Sequence, residues 1–502
     1  MSSANGRQDL SALGVQDLSA LGIQALVDPG KTPTDEQVRV IEAPRRPLLV
    51  VAGAGSGKTE TMSMRVLWLV ANHEDIAPSS VLGLTFTRKA AGELGDRLRQ
   101  RLALLAGRVP SLRERLDEDP VSLTYNSFAE RIVAEHGMRI GIDPDFTMLT
   151  EAGAVDLMTQ IVEGWPTDLD EDLSPSAAVG HCLHLAGEVG EHGYTVEEAR
   201  DALEGFGRDL EQIGATNDTA RKTQRANARR LAYLGPVEEF QRRKREGGLL
   251  DFSDQLVLAT RIVREAPAVR AQVRDEFQAV LLDEFQDTSV IQMELLSLLF
   301  HDHAVTAVGD PNQAIYGWRG ASASSLERFL DRFQDGPAQP GQTLTLSTAW
   351  RNDRNILRAA NRVAAPLREH SRAAKSPVLR ARPGAGEGRV DVAYTQDYRS
   401  ALGAVVDFVS AHRARGTREG KRPTTAVLCR RRSDFPYVDM ALREAGVPTQ
   451  IVGLGGLLDQ PSVQDARAAL VLADDVEASP WLARLLAGID LGAADLVALT
   501  RT

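Results

Sequence analysis

Short, uninterrupted apolar runs alternate with stretches of helical periodicity from about residue 33 onward. Four of these runs lie at 48–51, 81–85, 279–282 and 305–308. Continuous apolar runs of this length are typical of parallel strands that are buried on both faces. The pattern therefore predicts an α/β fold, in which helices flank a parallel sheet. The stretch 112–267 is long, helical and without clear strands, which predicts a helical domain inserted into this fold.

The same α/β pattern resumes after a segment rich in Gly and Pro at 335–341. Such clusters between periodic segments are typical of linkers. Apolar runs at 343–346, 390–393 and 426–429 then predict the strands of a second α/β domain.

The N-terminus carries one heptapeptide twice, at 8–14 and again at 16–22. Two copies are too few for a solenoid. A flexible tail over 1–30 with a little helix is therefore predicted, and a docking peptide for a partner is the alternative.

Composition and charge narrow the class of protein. The 502 residues carry a net charge of −11, from 58 Lys and Arg against 69 Asp and Glu. This argues against a uniformly basic surface for nucleic acid, although a local basic groove is still compatible with it. Two cysteines exclude a disulfide framework and a four-cysteine metal cluster. Neither a run of about 20 apolar residues nor a signal sequence is present, so the cytoplasm is predicted.

A Gly-rich segment between the first apolar run and a helical stretch is the strongest chemical signal. It comprises Ala52, Gly53, Ala54, Gly55, Ser56, Gly57, Lys58 and Thr59. In this setting backbone N–H groups surround the phosphates of a nucleotide. Lys58 would then lie at the β- and γ-phosphates, and the Thr59 hydroxyl would bind Mg²⁺. The alternative is a Gly-rich turn followed by an ordinary lysine.

Two acidic residues follow the third apolar run, at Asp283 and Glu284. Carboxylates at the C-terminal edge of a parallel sheet point into the crevice where ligands bind. Asp283 is therefore predicted to hold Mg²⁺, and Glu284 to orient and deprotonate an attacking water. The alternative is a helix N-terminus stabilised by negative charge.

With these two elements, residues 34–470 resemble superfamily 1A DNA helicases of the UvrD/PcrA/Rep class. The similar segments, in the order of the family motifs, are 34–37, 85–91, 283–288, 309–321 and 350–352. Ala52, Arg88, Asn126 and Trp350 depart from the family pattern, where Gly, Asn, His and Tyr are usual. Segments 52–62, 82–94 and 135–137 are similar to the actinobacterial AdnB-type helicase–nuclease subunits.

The resemblance implies two RecA-like P-loop NTPase cores with a helical insertion in the first. The implied domains are a tail (1–30), core 1A (31–111 and 268–335), the helical insertion 1B (112–267), a partial core 2A (342–470) and the start of a 2B insertion (471–502). Motif V and a convincing motif VI are absent, so we expect a chain truncated within the 2B region and no nuclease activity.

The resemblance also assigns roles to single residues. Gln37 would read adenine, and Trp350 would stack on it, with core packing as the alternative for Trp350. Gln313 would sense the γ-phosphate, and Arg351, on the second core, would act as an arginine finger. Single-stranded DNA would be held by stacking and phosphate contacts from Phe86, Thr87, Arg88, Tyr316, Trp318 and Arg319. Core packing is the alternative for Phe86.

The implied function is an ATP-dependent 3′→5′ DNA helicase or translocase that uses ATP and Mg²⁺ on single-stranded and forked DNA in repair and recombination. An AdnA-like second helicase–nuclease subunit is the implied partner. The alternative is an ATP- and DNA-binding module that cannot complete hydrolysis alone.

Basic residues cluster in the helical stretch despite the acidic total. They are Arg221, Lys222, Arg225, Arg229 and Arg230, followed by Arg242, Arg243, Lys244 and Arg245. Such runs are usually solvated helix faces, and contact with duplex DNA is the functional hypothesis.

Overall fold

The computed structural model divides into two compact units, Met1–Val390 and Asp391–Thr502. The residues it describes are 18–143, 146–167, 169, 173–214, 217–317, 325–334, 341–370, 375–414, 424–452, 461–474 and 479–488.

The strands of the described residues all lie in the first unit. They are β1 (Leu48–Ala52), β2 (Val81–Thr85), β3 (Val121–Thr124), β4 (Thr147–Met148), β5 (Leu249–Leu250), β6 (Ala279–Leu282), β7 (Val305–Gly309), β8 (Gln342–Leu346), β9 (Thr348–Ala349) and β10 (Arg380–Ala381).

The helices of the first unit surround these strands. They are α1 (Ala20–Val27), α2 (Asp35–Ile41), α3 (Lys58–Asn72), α4 (Arg88–Arg108), α5 (Tyr125–His136), α6 (Glu151–Glu163), α7 (Pro175–Glu191), α8 (Val196–Ile213), α9 (Asp218–Glu246), α10 (Phe252–Glu265), α11 (Pro267–Glu276), α12 (Val290–Phe300), α13 (Ser325–Phe333) and α14 (Arg354–His370).

A six-stranded parallel sheet forms the centre of the first unit, in the order β3-β2-β6-β7-β1-β8. The four predicted apolar runs are β1, β2, β6 and β7, and each of them is fully buried. Alternate residues of these strands enter two hydrophobic clusters on opposite faces of the sheet. The predicted α/β class with a parallel sheet between helices is therefore confirmed.

The two outermost strands of this sheet correct the sequence analysis. Strand β3 lies inside the stretch for which no strand was predicted, and its half-buried Val-Ser-Leu-Thr sequence gives no apolar run. Strand β8 was assigned to the second core, but it pairs with β1, with Val50 opposite Leu344. Residues 335–340 of the predicted linker lie outside the described residues, but α13 before them and β8 after them belong to the same unit.

The helical insertion has a hydrophobic core of its own. Its buried residues come from α6, α7, α8 and α9, between Met158 and Phe240. Helices α5, α10 and α11, which also fall in the predicted insertion, pack instead against the main sheet. The packed insertion is thus shorter than predicted.

The second unit contains α15 (Tyr398–Ala414), α16 (Phe435–Glu444), α17 (Pro461–Asp474) and α18 (Ser479–Gly488). Its described residues include no strand, so the strands predicted at 390–393 and 426–429 are wrong for this structure. A strand needs a hydrogen-bonded neighbour, and here Val392 and Leu428 are 91% and 92% exposed.

Part of the predicted N-terminal tail is ordered. Helix α1 begins after Ser19, whose side chain caps it. Ala20 and Ile23 are fully buried, and the Ala20 amide donates to Glu42 at 2.7 Å. The tail prediction is therefore wrong for residues 18–30, while the first heptapeptide lies outside the described residues.

A buried arginine connects α3 to the end of α2. The Arg65 guanidinium donates to the Thr306 hydroxyl and to the four carbonyl oxygens of Val40, Ile41, Ala43 and Pro44, over 2.8–3.1 Å. Carbonyls at the end of a helix lack some of their partners within the helix, and Arg65 supplies donors to those of Val40 and Ile41 and to the two that follow the helix. Arg65 therefore fixes α2 against the helix that follows the Gly-rich loop.

Replacing Arg65 with leucine is expected to lower the free energy of unfolding by about 3 kcal/mol, because buried carbonyl groups lose their donors. Urea unfolding followed by circular dichroism measures the change. Arg108→Leu, at an exposed position near the end of α4, is the control and should cost less than about 0.5 kcal/mol. Equal effects for the two variants would contradict the account of Arg65.

Candidate functional site

The Gly-rich loop runs from the end of β1 to the start of α3. Gly55 and Gly57 have φ angles of +72° and +82°, which glycine adopts without strain. A Cβ atom at Gly55 would lie 3.0 Å from Arg351 Cβ. The loop is thus wrapped tightly around the N-terminus of α3, where free backbone N–H groups attract anions.

A cavity of about 890 Å³ opens above this loop. Seven of the predicted loop residues, from Gly53 to Thr59, line it, together with Glu284, Gln313, Trp350 and Arg351. Ala52 is the buried last residue of β1 and carries the loop without facing the cavity. The cavity therefore brings together most of the residues predicted for the nucleotide.

Arg351 reaches this cavity from the first unit, not from a second core as predicted. The strand β8 ends at Leu346, and the chain then passes directly over the loop. The Trp350 amide donates to the Gly55 carbonyl at 2.8 Å. Because β8 belongs to the main sheet, Trp350 and Arg351 are held against the loop by that sheet.

The cavity also contains basic residues that the sequence analysis did not identify. Arg97 of α4 and Arg368 of α14 line it alongside Lys58 and Arg351. No local motif marks Arg97, which is one of several charged residues on an amphipathic helix. Together these cations suit a ligand with several negative charges.

Lys58 and Glu284 form an ion pair across the cavity, with 2.7 Å between Nζ and Oε2. Burial opposes the charged form of Glu284, but the Lys58 ammonium outweighs it and holds the pKa of Glu284 below its usual value. Glu284 also has a left-handed backbone, with φ at +49° and ψ at +42°. Non-glycine residues in this region are uncommon and cluster at functional sites.

Asp283 lies deeper than Glu284 and is 9% exposed. Burial and the neighbouring Glu284 carboxylate raise the pKa of Asp283 to about 6. The Tyr125 hydroxyl donates to its backbone carbonyl, and the Glu284 amide donates to its carboxylate. Thr59 lines the cavity, whereas Asp283 lies beneath the Glu284 side of it.

A second cavity, of about 480 Å³, adjoins the first and shares Gly57, Glu60 and Trp350 with it. Gln37 lines this second cavity, and its amide donates to the Thr61 hydroxyl at 3.2 Å. Trp350 is 39% exposed, which excludes the core packing considered for it. The two cavities have the arrangement of a phosphate site beside a site for a flat ring.

Gln313 follows β7 in a short turn after Asp310. Its amide donates to the Asp310 carboxylate at 2.7 Å, and both residues line the larger cavity. The structure therefore places Gln313 in the cavity above the Gly-rich loop, and its role as a sensor of the γ-phosphate stays a prediction.

The described residues among those predicted for DNA do not line the cavity above the Gly-rich loop. The rings of Phe86 and Tyr316 are 5.0 Å apart and tilted by 35°. Thr87 caps α4, and both Thr87 and Arg88 are exposed. Phe86 is half-buried and also packs against the main core. Trp318 and Arg319 lie outside the described residues.

Beside Phe86 is a cavity of about 410 Å³ that the sequence analysis did not anticipate. Asn126, Phe252 and Asp287 line it, and Phe252 is 54% exposed. Phe252 lines the same cavity as Phe86 and adds an exposed ring to those of Phe86 and Tyr316. Asp251 is the N-cap of α10 and forms a capping box with Asp254.

The basic cluster at 242–245 is engaged in ion pairs, and burial makes the assignment to duplex DNA wrong for Lys244. For Arg242 and Arg243, whose side chains are partly exposed, that assignment stays a prediction. Arg242 pairs with Glu239 and Glu246, and Arg243 pairs with Glu239. Lys244 is buried between two aspartates, with its ammonium 2.7 Å from Asp254. Carboxylates that already hold these cations compete with phosphate for them. Arg221, Lys222, Arg225 and Arg230 are exposed on α9, and the hypothesis remains open for them.

This fold and this loop define a P-loop nucleotide-binding protein. The chain belongs to the UvrD/REP helicase family, because residues 33–334 match the UvrD/REP helicase N-terminal domain.

Three relatives show the extent of the similarity. DNA helicase II of Escherichia coli is 28% identical over 440 residues, which are 87% of this chain and 54% of that protein. ATP-dependent DNA helicase PcrA of Staphylococcus epidermidis is 26% identical over 87% of this chain and 53% of its own length. ATP-dependent DNA helicase UvrD2 of Mycobacterium tuberculosis is 28% identical over 87% of this chain and 57% of its own length.

The chain thus spans about half the length of these curated relatives. Within the described residues, none of the helices is long and apolar enough to cross a membrane.

Proposed function

We propose that this chain is an ATP-dependent DNA motor of the UvrD type, which moves 3′→5′ along single-stranded DNA in repair and recombination. The observation that carries the proposal is the cavity that joins Lys58, Glu284, Gln313 and Arg351 above the Gly-rich loop. The family of the chain supports it. The direction of movement along DNA and the pathway rest on the resemblance alone.

The cavity residues divide the work of ATP hydrolysis. Backbone N–H groups of the loop and the Lys58 ammonium would bind the phosphates, and Gln37 and Trp350 would hold the base. The Glu284 carboxylate would accept a proton from the attacking water. Arg351 would stabilise the charge that develops on the transferred phosphoryl oxygens.

Mg²⁺ would be held by Thr59, which lines the cavity, and by Asp283, which directly precedes the cavity residue Glu284. They offer the hydroxyl and carboxylate oxygens that this ion prefers. When bound, Mg²⁺ would neutralise charge on the β- and γ-phosphate oxygens.

Single-stranded DNA would lie on the surface formed by Phe86, Tyr316 and Phe252. Each base stacked on an aromatic ring contributes about 1–3 kcal/mol without regard to sequence. Thr87 and Arg88, at the N-terminus of α4, would contact phosphates.

A second candidate is an accessory module that binds ATP and DNA but does not complete hydrolysis alone. The absence of strands from the described part of Asp391–Thr502 favours it. We propose an AdnA-like subunit as the partner, because three segments of the sequence are similar to AdnB-type subunits.

ATP hydrolysis with and without single-stranded DNA separates these candidates. The motor predicts stimulation by a dT oligonucleotide, and the Lys58→Ala variant should lose it. ATP binding without stimulated hydrolysis would favour the module. A chain that binds neither ligand would refute both.

The role of Trp350 can be tested by truncation. Trp350→Ala should raise the KM for ATP about three- to tenfold, because an aromatic stack contributes about 0.5–1.5 kcal/mol. Trp350→Tyr keeps a ring and should stay near the wild-type KM. If KM is the same for all three proteins, Trp350 does not contact the base.

A further inference from the structure

Gln286 lies between the nucleotide cavity and the DNA surface, and nothing in the proposed mechanism uses it. It is 3% exposed and follows Glu284 by two residues. Its side-chain NH₂ group donates to Glu284 Oε2 at 2.9 Å and to Asp287 Oδ2 at 3.2 Å. Glu284 lines the nucleotide cavity, whereas Asp287 lines the cavity beside Phe86. One amide group therefore contacts a wall of each site.

The carbonyl end of the same side chain holds a third element. Gln286 Oε1 accepts a hydrogen bond from the Asp310 amide at 3.0 Å. Asp310 in turn accepts from Gln313, and Tyr316, which stacks on Phe86, follows three residues later. Displacement of the Gln286 side chain would therefore affect the turn after β7 at both of its ends, Asp310 and Tyr316.

The residues around Gln286 leave little room for another conformation of its side chain. A Cβ atom at Gly309 would lie 2.7 Å from Gln286 Oε1 and 3.2 Å from its backbone nitrogen. Glu284 Oε2, to which Gln286 donates, is also the oxygen paired with Lys58. A ligand that draws Lys58 toward phosphate removes one of the two partners of this oxygen. The Gln286 contact is then the one that still holds the carboxylate.

We propose that Gln286 is a positioning residue that couples nucleotide binding to DNA binding. The proposal rests on the proposed function and adds the residue that connects its two sites. Coupling between sites is a free energy and is reciprocal, so it is measurable without hydrolysis. Physical contact alone does not establish coupling, and a thermodynamic linkage measurement is therefore required.

The experiment measures the affinity of the full chain for a fluorescent dT oligonucleotide, with and without Mg²⁺ and a non-hydrolysable ATP analogue. In the wild type we expect the analogue to change the DNA affinity by about 5–150-fold, the usual range for coupled sites. In Gln286→Leu the change should fall to less than about twofold. The affinity of this variant for each ligand alone should stay close to that of the wild type.

Gln255→Leu is the matched control. Gln255 is also fully buried, its amide donates to Met148 Sδ at 3.0 Å, and it lines neither cavity. This variant should keep the wild-type linkage. Loss of linkage in Gln255→Leu as well would overturn a specific role for Gln286.

Gln286→Met serves if the leucine variant does not fold. It keeps the length of the side chain, but it has no group that can donate to Glu284 or Asp287. Loss of linkage in this variant supports the proposal, and wild-type linkage overturns it. A wild type that binds both ligands without linkage overturns the inference alone, whereas one that binds neither overturns the proposed function.

Discussion

The Arg351→Ala variant is expected to lose about 10³–10⁵-fold in the rate of DNA-stimulated ATP hydrolysis, the range for a positioned arginine in phosphoryl transfer. Arg351 lines the cavity together with Lys58 and Glu284. Its neighbour Trp350 is fixed to the Gly55 carbonyl. The guanidinium is therefore placed by the main sheet itself, through β8, and does not depend on another domain for its position.

Two further variants make the test of Arg351 specific. Arg351→Lys keeps the charge but not the planar group, and it should restore little of the rate. Arg354→Ala removes an exposed arginine that pairs with Glu387 at 3.1 Å, and it should hydrolyse ATP like the wild type. A fall of less than about tenfold in Arg351→Ala would show that this side chain does not stabilise the transition state.

The second large effect is expected for Glu284→Gln, which should lower stimulated hydrolysis by about 10²–10⁴-fold. Glutamine has the same shape but cannot accept a proton at neutral pH. The substitution also removes the ion pair with Lys58. ATP should therefore bind at least as tightly as in the wild type, because Lys58 no longer has to leave a carboxylate.

Equilibrium binding of a fluorescent ATP analogue, measured beside the hydrolysis rate, separates chemistry from affinity. Glu294→Gln, on α12 and outside both cavities, is the control. Rate and affinity falling together in Glu284→Gln would mean that Glu284 supports the structure of the loop rather than the reaction.

The central strands were predictable because burial on both faces leaves an uninterrupted apolar run. Of the two edge strands, β3 was missed, and β8 was predicted at 343–346 but assigned to the wrong sheet. Gln342–Leu346 is exposed at three of its five residues and follows a cluster of Gly and Pro, so it looked like the start of a new domain. The error moved Arg351 to the wrong core, since its position depends on which sheet contains β8.

The phosphate site was largely predictable because the Gly-rich loop and the two acidic residues are local patterns. The features that the sequence analysis missed depend on contacts between distant segments. Lys58 and Glu284 were each predicted, but they are 226 positions apart in the chain, and the sequence does not show that they pair. Phe252 and Arg97 likewise acquire their positions only when α10 and α4 pack on the sheet.

A crystal structure of the chain with Mg²⁺ and a non-hydrolysable ATP analogue tests the central claim most directly. We predict that the phosphates occupy the cavity above the Gly-rich loop, with the base between Gln37 and Trp350. The 2.7 Å contact between Lys58 and Glu284 should be broken, with Lys58 on phosphate and Arg351 facing the γ-phosphate. A nucleotide bound elsewhere, or a Lys58–Glu284 pair that persists beside the bound nucleotide, would contradict the account.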